Sequence, residues 1–426
     1  MQRMHRFGLA GCLCIASAFA QDFPSAEQIA KQRENLPAAI RTPEFGEPLT
    51  AARPTRARLS MLSSPTVPDS KKLGPITLLG QAVQPGTTRR LNWSSGPMFA
   101  GGAMGAPVIV IHGKQPGPVL CLTGAIHGDE LNGVEVINRF ARKLKASDLA
   151  GTVIAVPVVN IPGFSRSSRY LPDRRDLNRF FPGSPNGSAA SRLAFDFFHS
   201  VVQACDYLVD FHTGSFERSN LPQVRGDLRI REVIELGRAF GATTVLHSPG
   251  TPGMLRVAAT NIGIPAVTFE LGAPIRLEPK EIAFGEAAVE TLLDKLGMVN
   301  RLRVWNKPQP VFYDSKWVRV SSNGMLFSAV ELGSKVIPGQ LLGTVIDPLS
   351  GTEMEVRSPA RGRVIGMALN QIVLPGFAAY HLGYATSEAE AVRKALVLRK
   401  RPVAELESDS ETEESDAQIE ASPHAQ

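Results

Sequence analysis

Cysteine and long apolar runs are both scarce in this sequence of 426 residues. It contains four cysteines and no CxxC pair, which argues against a cysteine-ligated zinc site or a disulfide-rich scaffold. Cys121 and Cys205 lie in or beside apolar segments, and we expect two buried free thiols rather than a disulfide. No stretch approaches the ~20 apolar residues that span a bilayer, so no transmembrane segment is predicted.

Aromatic residues make up only 7% of the chain, and basic residues do not alternate with them along any segment. The pattern typical of nucleic-acid binding is therefore missing, and we expect no nucleic-acid partner. The net charge is +6, although residues 405–426 carry eight acidic residues and no Lys or Arg. The remainder is correspondingly more basic, which favours small anionic substrates.

The first twenty residues have the pattern of a secretory signal. Basic residues precede the apolar run 7–20, which ends in Ala18-Phe19-Ala20, a small-x-small cleavage pattern. This predicts a periplasmic or secreted protein. If translation instead begins at Met61, the protein would be cytoplasmic. Residues 21–72 are polar, rich in Pro and Arg, and are predicted to form a linker or arm.

Between residues 73 and 300, apolar runs of strand length alternate with segments of helical periodicity. Such alternation predicts an α/β domain with a mixed sheet flanked by helices. Residues 301–384 show short β-type runs broken by Gly and Pro, which indicates a small all-β domain. Residues 385–426 read as a helical patch followed by a disordered acidic tail. The principal strands are predicted at 107–111, 119–123, 152–159, 207–211 and 264–269, and the principal helices at 131–144, 193–202, 233–240 and 282–296.

Histidine and glutamate follow two of these predicted strands. His127-Gly128-Asp129-Glu130 comes after 119–123, and His212 comes directly after 207–211. Sites in open α/β sheets lie just beyond the carboxyl ends of strands, and Gly128 would let the backbone bend between the two ligands. Two imidazoles, one carboxylate and an open position make a catalytic zinc site. We therefore expect one Zn²⁺ per chain, held by His127, Glu130 and His212.

Two further signals complete the candidate site. Glu270 ends the predicted strand 264–269, where a carboxylate beside activated water can transfer a proton. Residues 169–179 contain four arginines in a predicted loop, and guanidinium groups pair bidentately with carboxylates. This loop is predicted to bind an anionic substrate.

Four motifs in this order resemble the aspartoacylase and succinylglutamate desuccinylase family, within the zinc carboxypeptidase-like superfamily. They are His127-Gly128-Asp129-Glu130, Asp176-Leu177-Asn178-Arg179-Phe180-Phe181-Pro182-Gly183, Asp210-Phe211-His212-Thr213 and Phe269-Glu270-Leu271-Gly272. The resemblance covers roughly residues 73–384 and implies a zinc-carboxypeptidase-like fold.

The resemblance also implies roles for individual residues. Glu270 would act as general base and then general acid. Arg169 would polarise the scissile carbonyl, with Arg166 or Arg175 as alternatives because the spacing to the next motif is loose. Asn178 and Arg179 would hold the substrate carboxylate. The residues that recognise the distal end of the acyl group cannot be matched.

The predicted function is a zinc-dependent amidohydrolase that removes an acyl group from a small, anionic N-acyl amino acid. The alternative is a metallocarboxypeptidase that uses the same centre on peptides. A third hypothesis, an inactive metal-binding or carrier module, is disfavoured because every expected zinc ligand and Glu270 are present. The sequence leaves the acyl group, the amino acid and the oligomeric state open.

Overall fold

The structure, a computed structural model, describes residues 73–94, 105–300 and 311–385. The predicted signal, the polar arm, the helical patch and the acidic tail lie outside these residues. The expected boundary near residue 300 falls beside 301–310, which also lies outside them.

The elements before residue 300 alternate as the sequence analysis expects. The strands are β1 (Ile76–Leu78), β2 (Gln81–Val83), β3 (Thr87–Trp93), β4 (Ala106–His112), β5 (Gln115–Gly124), β6 (Ala150–Val156), β7 (Tyr207–His212), β8 (Arg218–Gly226), β9 (Thr244–His247) and β10 (Ala266–Gly272). The helices are α1 (Leu131–Lys143), α2 (Ile161–Phe164), α3 (Ala189–Ser200), α4 (Arg231–Arg238), α5 (Leu255–Asn261) and α6 (Pro279–Lys295). Within the described part of the chain, no helix has the length and apolarity needed to cross a bilayer.

A thirteen-stranded mixed sheet forms the centre of the molecule. Its middle strands run in the order β8-β10-β7-β5-β6-β4-β3. The neighbours β10, β7, β5 and β6 are parallel, whereas β4 pairs antiparallel with β6 and β8 pairs antiparallel with β10. The carboxyl ends of β5, β7 and β10 therefore meet at one edge of the sheet.

Strict alternation along the strands divides the core into two layers. Cys121 of β5 faces one layer, whereas its neighbours Leu120 and Leu122 face the other. Successive side chains on a strand point to opposite faces, so near-continuous apolar runs are expected where helices cover both. Helices α3 and α5 contribute to the first layer, and α1, α4 and α6 contribute to the second.

The principal predicted strands and helices of this region are all present, with shifted ends. The strand predicted at 152–159 stops at Val156, and β5 begins at Gln115, before the strand predicted at 119–123. Strand β8 was missed altogether. Its sequence contains Pro222 and several polar residues, which suppress a strand signal based on apolar content.

The C-terminal β region, residues 311–385, extends the central sheet and also builds a second one. Its strands are β11 (Val311–Phe312), β12 (Asp314–Arg319), β13 (Gly324–Ser328), β14 (Lys335–Val336), β15 (Leu341–Ile346), β16 (Glu353–Arg357), β17 (Gly362–Ala368), β18 (Ile372–Val373) and β19 (Ala378–Tyr384). β17 pairs antiparallel with the first residues of β8, and β19 and β12 follow it in the same sheet. β16, β15, β13 and β18 form a separate four-stranded sheet. The region is all-β, as expected, and has its own apolar core.

The prediction of two free thiols was wrong, because Cys121 and Cys205 form a disulfide. Cys121 lies on β5 and Cys205 lies two residues before the adjacent strand β7, and their Cα atoms are 5.7 Å apart. That distance lies within the range that a disulfide bridges. The two cysteines are 84 residues apart in the chain, and only the pairing of β5 with β7 brings them together.

We predict that breaking this disulfide lowers the free energy of unfolding by about 2–4 kcal/mol, because the bond closes a long loop in the unfolded chain. Urea unfolding of the oxidised protein should show a higher midpoint than unfolding in reductant. The double variant Cys121→Ala/Cys205→Ala should resemble the reduced protein and be insensitive to reductant. An oxidised wild type whose midpoint does not move on reduction would contradict this.

Candidate metal centre and active site

Three neighbouring parallel strands bring the predicted site residues to one place. His127 and Glu130 lie in the turn between β5 and α1, and His212 is the last residue of β7. Glu270, on β10, is paired in register with His212. All four side chains are buried, with relative exposures of 2–6%. Residues from separate segments thus share one water-poor space at the sheet edge.

Gly128 allows this turn to form through close approach rather than through an unusual backbone angle. A Cβ at this position would lie 2.1 Å from the Phe164 nitrogen and from the carbonyl carbon of Gly163. The turn that carries His127 and Glu130 therefore rests directly on the backbone of α2. The φ of Gly128 is not in the left-handed region. Glycine is therefore needed here because of close packing, and not because of the backbone bend expected from the sequence.

The two histidines and Glu130 present their donor atoms to a common point. His127 Nδ1 lies 3.2 Å from His212 Nδ1 and 2.8 Å from Glu130 Oε1, and His212 Nδ1 lies 2.8 Å from Glu130 Oε2. The ligand atoms all fall within 4.8 Å of one another. Tetrahedral zinc with Zn–N distances of about 2.0–2.1 Å separates two nitrogen ligands by roughly 3.3 Å. This donor set therefore fits a zinc ion.

Two outer carboxylates orient the imidazoles. His212 donates from Nε2 to Asp210 Oδ2 at 2.8 Å, and His127 Nε2 lies 3.1 Å from Asp176 Oδ1. Asp210 is in turn held by the Thr123 hydroxyl, which donates to its Oδ1 at 2.7 Å. Hydrogen bonding at Nε2 leaves Nδ1 of each ring for a metal, which is the usual support of a histidine ligand.

The electrostatics of the cluster favour a cation. Burial lowers the pKa of His212, but Asp210 and Glu130 outweigh it and raise that pKa well above the usual value. Burial raises the pKa of Glu130, yet the two histidines outweigh it and hold the pKa of this carboxyl below its ordinary range. The buried carboxylates thus favour positive charge on the imidazoles. A divalent cation at the same place would supply that positive charge instead.

Arg169 is the arginine of the loop that reaches this centre. Its Nη1 lies 3.1 Å from His127 Nδ1 and 3.3 Å from Glu130 Oε1, and its Nη2 donates to Asp176 Oδ2 at 3.0 Å. The two alternatives weighed from the sequence, Arg166 and Arg175, are exposed instead. Asp176 and Glu130 raise the pKa of Arg169 despite its burial, so the guanidinium stays charged.

Asn178 and Arg179 also line the cleft. Asn178 Oδ1 accepts a hydrogen bond from the Leu255 nitrogen at 2.8 Å, at the start of α5. Arg179 donates from Nη1 to the Asn178 carbonyl at 2.9 Å and lies 3.9 Å from Asp176 Oδ2. The Asn178 side chain is therefore held by a backbone nitrogen, and the Arg179 side chain by a backbone carbonyl and by the aspartate that supports His127.

Strand β8 supplies two residues beside Glu270 that the sequence analysis missed. Arg225 Nη1 lies 3.4 Å from Glu270 Oε1, and Asn220 Nδ2 donates to Glu270 Oε2 at 3.2 Å. The sequence signal for these two residues is the set of polar side chains within Asn220-Leu221-Pro222-Gln223-Val224-Arg225. This signal indicates a site only if the segment forms a strand beside β10. Each oxygen of Glu270 thus has a donor from β8.

Charged and polar side chains line the cleft above these residues. Four arginines line it together with Glu130 and Glu270: Arg169, Arg179, Arg225 and Arg256. Arg256 donates to Thr268 Oγ1 at 3.0 Å and to the Ser248 carbonyl at 3.0 Å. The lining outside the metal centre is therefore predominantly cationic.

The turn between β7 and β8 covers one side of the cleft. The Phe216 ring lies 5.7 Å from the guanidinium of Arg169. Phe216 and Glu217 both adopt left-handed backbone angles, with φ of 54° and 53°. The Leu369 nitrogen donates to the Glu217 carbonyl at 2.8 Å, and Gln371 Nε2 donates to the same oxygen at 2.9 Å. The C-terminal β region thus secures the turn that caps Arg169.

Comparison with known proteins agrees with the motifs. A profile of the succinylglutamate desuccinylase/aspartoacylase catalytic domain matches residues 116–296. The N-alpha-acetyl-L-2,4-diaminobutyric acid deacetylase of Halomonas elongata is 31% identical over 261 residues, covering 58% of this chain and 76% of that protein. The succinylglutamate desuccinylase of Burkholderia orbicola is 29% identical over 168 residues, covering 35% of this chain and 48% of that protein.

Solved structures show the same mixed α/β architecture. The product-bound ectoine utilization protein EutE (DoeB) from Ruegeria pomeroyi superposes with a TM-score of 0.65 at 26% identity. It covers 74% of this chain, and this chain covers all of it. A succinylglutamate desuccinylase from Silicibacter gives a TM-score of 0.63 at 25% identity with the same coverage. The fold, the buried His-Glu-His cluster and these relatives together show that the chain belongs to the succinylglutamate desuccinylase/aspartoacylase family of deacylating hydrolases.

Proposed function

We propose that this protein is a zinc-dependent amidohydrolase that removes the acyl group from a small N-acyl amino acid. The observation that carries the proposal is the buried convergence of His127 Nδ1, His212 Nδ1 and one carboxylate, each imidazole being oriented by an outer carboxylate. A zinc-carboxypeptidase-like classification of the fold belongs to the same proposal, since it places such a site at the carboxyl ends of parallel strands.

His127, Glu130 and His212 would hold one zinc ion per chain. When bound, the ion would supply Lewis-acid chemistry that activates water and polarises the scissile carbonyl. Glu270 would take the proton of the attacking water and then deliver it to the leaving nitrogen. Arg225 and Asn220 of β8 hold the two oxygens of Glu270 in place for this transfer.

Arg169 is proposed to stabilise the negative charge that develops on the carbonyl oxygen. Its guanidinium lies beside the donor atoms of His127 and Glu130, so its charge acts where the reacting carbonyl must come. Preorganised donors of this kind typically contribute a few kcal/mol to transition-state stabilisation. The ion pair with Asp176 and the Phe216 ring keep the guanidinium in place.

Asn178 and Arg179 are proposed to bind the substrate carboxylate. The arginines that line the remainder of the cleft, Arg225 and Arg256, favour a small anionic ligand over a cationic one. The H. elongata relative is named for an N-acetylated diaminobutyric acid, which makes that compound an obvious first substrate. Its side-chain amine would meet an arginine-rich wall here, so acidic N-acyl amino acids deserve equal weight.

The alternative is a metallocarboxypeptidase with the same catalytic groups. The turn at Phe216, held by a hydrogen bond from the C-terminal β region, places its ring beside Arg169. A cleft covered on this side suits a single N-acyl amino acid better than a polypeptide. This supports deacylation over peptide cleavage.

The disulfide bears on where the enzyme works. Disulfides persist mainly in oxidising compartments, and Cys121–Cys205 is buried between two central strands. We therefore favour the periplasm or the exterior of the cell over the cytoplasm.

Substrate class is tested with the zinc-loaded protein on two panels. We expect turnover of N-acetyl-2,4-diaminobutyrate, N-acetylaspartate or N-succinylglutamate, and little or none of dipeptides with free amino termini. Chelation should abolish activity, and adding back zinc should restore it, because the cleft's chemistry depends on the ion. Exclusive turnover of dipeptides would select the carboxypeptidase alternative, and activity that survives complete metal removal would refute the zinc proposal.

The assigned proton carrier is tested with Glu270→Gln. We expect kcat to fall by about a hundred- to ten-thousandfold, because an amide cannot transfer the proton. Zinc content after dialysis should stay at that of wild type, since Glu270 is not a proposed ligand. The matched control is Glu281→Gln on α6, outside the cleft, which should keep wild-type kcat. A Glu270→Gln variant with unchanged kcat would remove Glu270 from the mechanism.

A further inference from the structure

We propose that Asn220 is a positioning residue for Glu270, and that Gly366 of the C-terminal β region provides the space that Asn220 needs. The inference rests on the proposed role of Glu270 as proton carrier. It assigns to strand β17, which does not line the cleft, an influence on the chemical step.

Asn220 is fully buried and holds one defined oxygen of the carboxylate. Its Nδ2 donates to Glu270 Oε2 at 3.2 Å, while Arg225 Nη1 lies 3.4 Å from the other oxygen, Oε1. Two donors at two oxygens determine the rotation of the carboxylate about its last bond. Losing Asn220 would therefore release the orientation of Glu270.

Gly366 lies directly opposite Asn220 in the antiparallel pairing of β17 with β8. A Cβ at Gly366 would lie 2.5 Å from Asn220 Oδ1, whereas the next side chain, His381, would be 3.3 Å from it at Cβ. The φ of Gly366 is not in the left-handed region, so alanine's backbone preferences are compatible with this position. The contact that a methyl group would make with Asn220 is thus the principal reason for glycine here.

Arg218 ties the same end of β8 to the C-terminal β region. Its side chain has no solvent exposure, its Nε donates to the Ala378 carbonyl at 2.8 Å, and its guanidinium lies 4.3 Å from the Phe377 ring centre. Because β8 also pairs with β10, which carries Glu270, a fixed β8 fixes Asn220 relative to Glu270. The C-terminal strands thereby set the position of a group that touches the proton carrier.

The experiment is a double-mutant cycle of Gly366→Ala, Asn220→Ala and the double variant, with Ser219→Ala as matched control. Ser219 neighbours Asn220 on β8, and adjacent residues of a strand face opposite sides. We expect Gly366→Ala and Asn220→Ala each to lower kcat by roughly ten- to a hundredfold, the scale of a misplaced catalytic group. KM should stay within about twofold, because the substrate anchors are untouched. Ser219→Ala should keep wild-type kcat and KM.

The kcat of the double variant, compared with those of the single variants, shows whether Gly366→Ala acts through Asn220 or by general disruption of the fold. Removing the Asn220 side chain also removes the atom that a methyl at residue 366 would strike. The double variant should therefore be no slower than Asn220→Ala alone. Losses that multiply, or a Gly366→Ala enzyme with wild-type kcat, would overturn the inference. A rise in KM that equals the fall in kcat/KM would overturn it as well.

Folding and function are separated by two further measurements. If Gly366→Ala fails to fold, Asn220→Ser, which shortens the side chain without adding bulk, must still lower kcat with zinc content unchanged, or the inference fails. Urea midpoints of the same cycle report the Asn220–Gly366 contact without any assay of activity. If the wild-type protein hydrolyses no N-acyl amino acid, the proposed function is refuted. If the wild-type protein is active but Gly366→Ala leaves kcat unchanged, only the inference about Asn220 and Gly366 is refuted.

Discussion

The structure is organised around the meeting of three parallel strand ends at a cluster of buried imidazoles and carboxylates. His127, Glu130 and His212 come from two strand ends and place their donor atoms within 4.8 Å of one another. Burying such groups is unfavourable unless their charges and hydrogen bonds are compensated. Compensation comes from Asp176, Asp210 and Arg169, and the cluster remains suited to one divalent cation. Its polar groups therefore depend on one another.

Because these polar groups compensate one another, they lie together in loops and near strand ends, whereas the central strands are mostly apolar. Strands β5, β7 and β10 are buried on both faces, and their side chains, such as Leu120 and Val209, pack in the apolar core. Polar side chains of the site, such as Asp210, His212 and Glu270, lie near the carboxyl ends of these strands. A rigid apolar sheet thus fixes the distances that a metal site requires.

The C-terminal β region is part of this arrangement rather than an appendage. Strand β8 pairs with β10 on one side and with β17 on the other, so one sheet runs from the metal centre into the C-terminal strands. Hydrogen bonds from residues 369 and 371 hold the turn that covers Arg169. Through β8 and this turn, residues far along the chain determine both the shape of the cleft and the surroundings of Glu270.

The sequence by itself determined the apolar alternation that makes the α/β core, the His-Gly-Asp-Glu, His-Thr and Glu-Leu-Gly motifs, and the expectation that these lie at strand ends. Each of these signals is local, because it depends on neighbours within a strand or a turn. Contacts between distant segments were decided only in the tertiary structure: the disulfide of Cys121 with Cys205, the choice of Arg169 over Arg166 and Arg175, and the contact of Asn220 with Glu270. These depend on which strands become neighbours and in which register, and no spacing along the chain encodes that information.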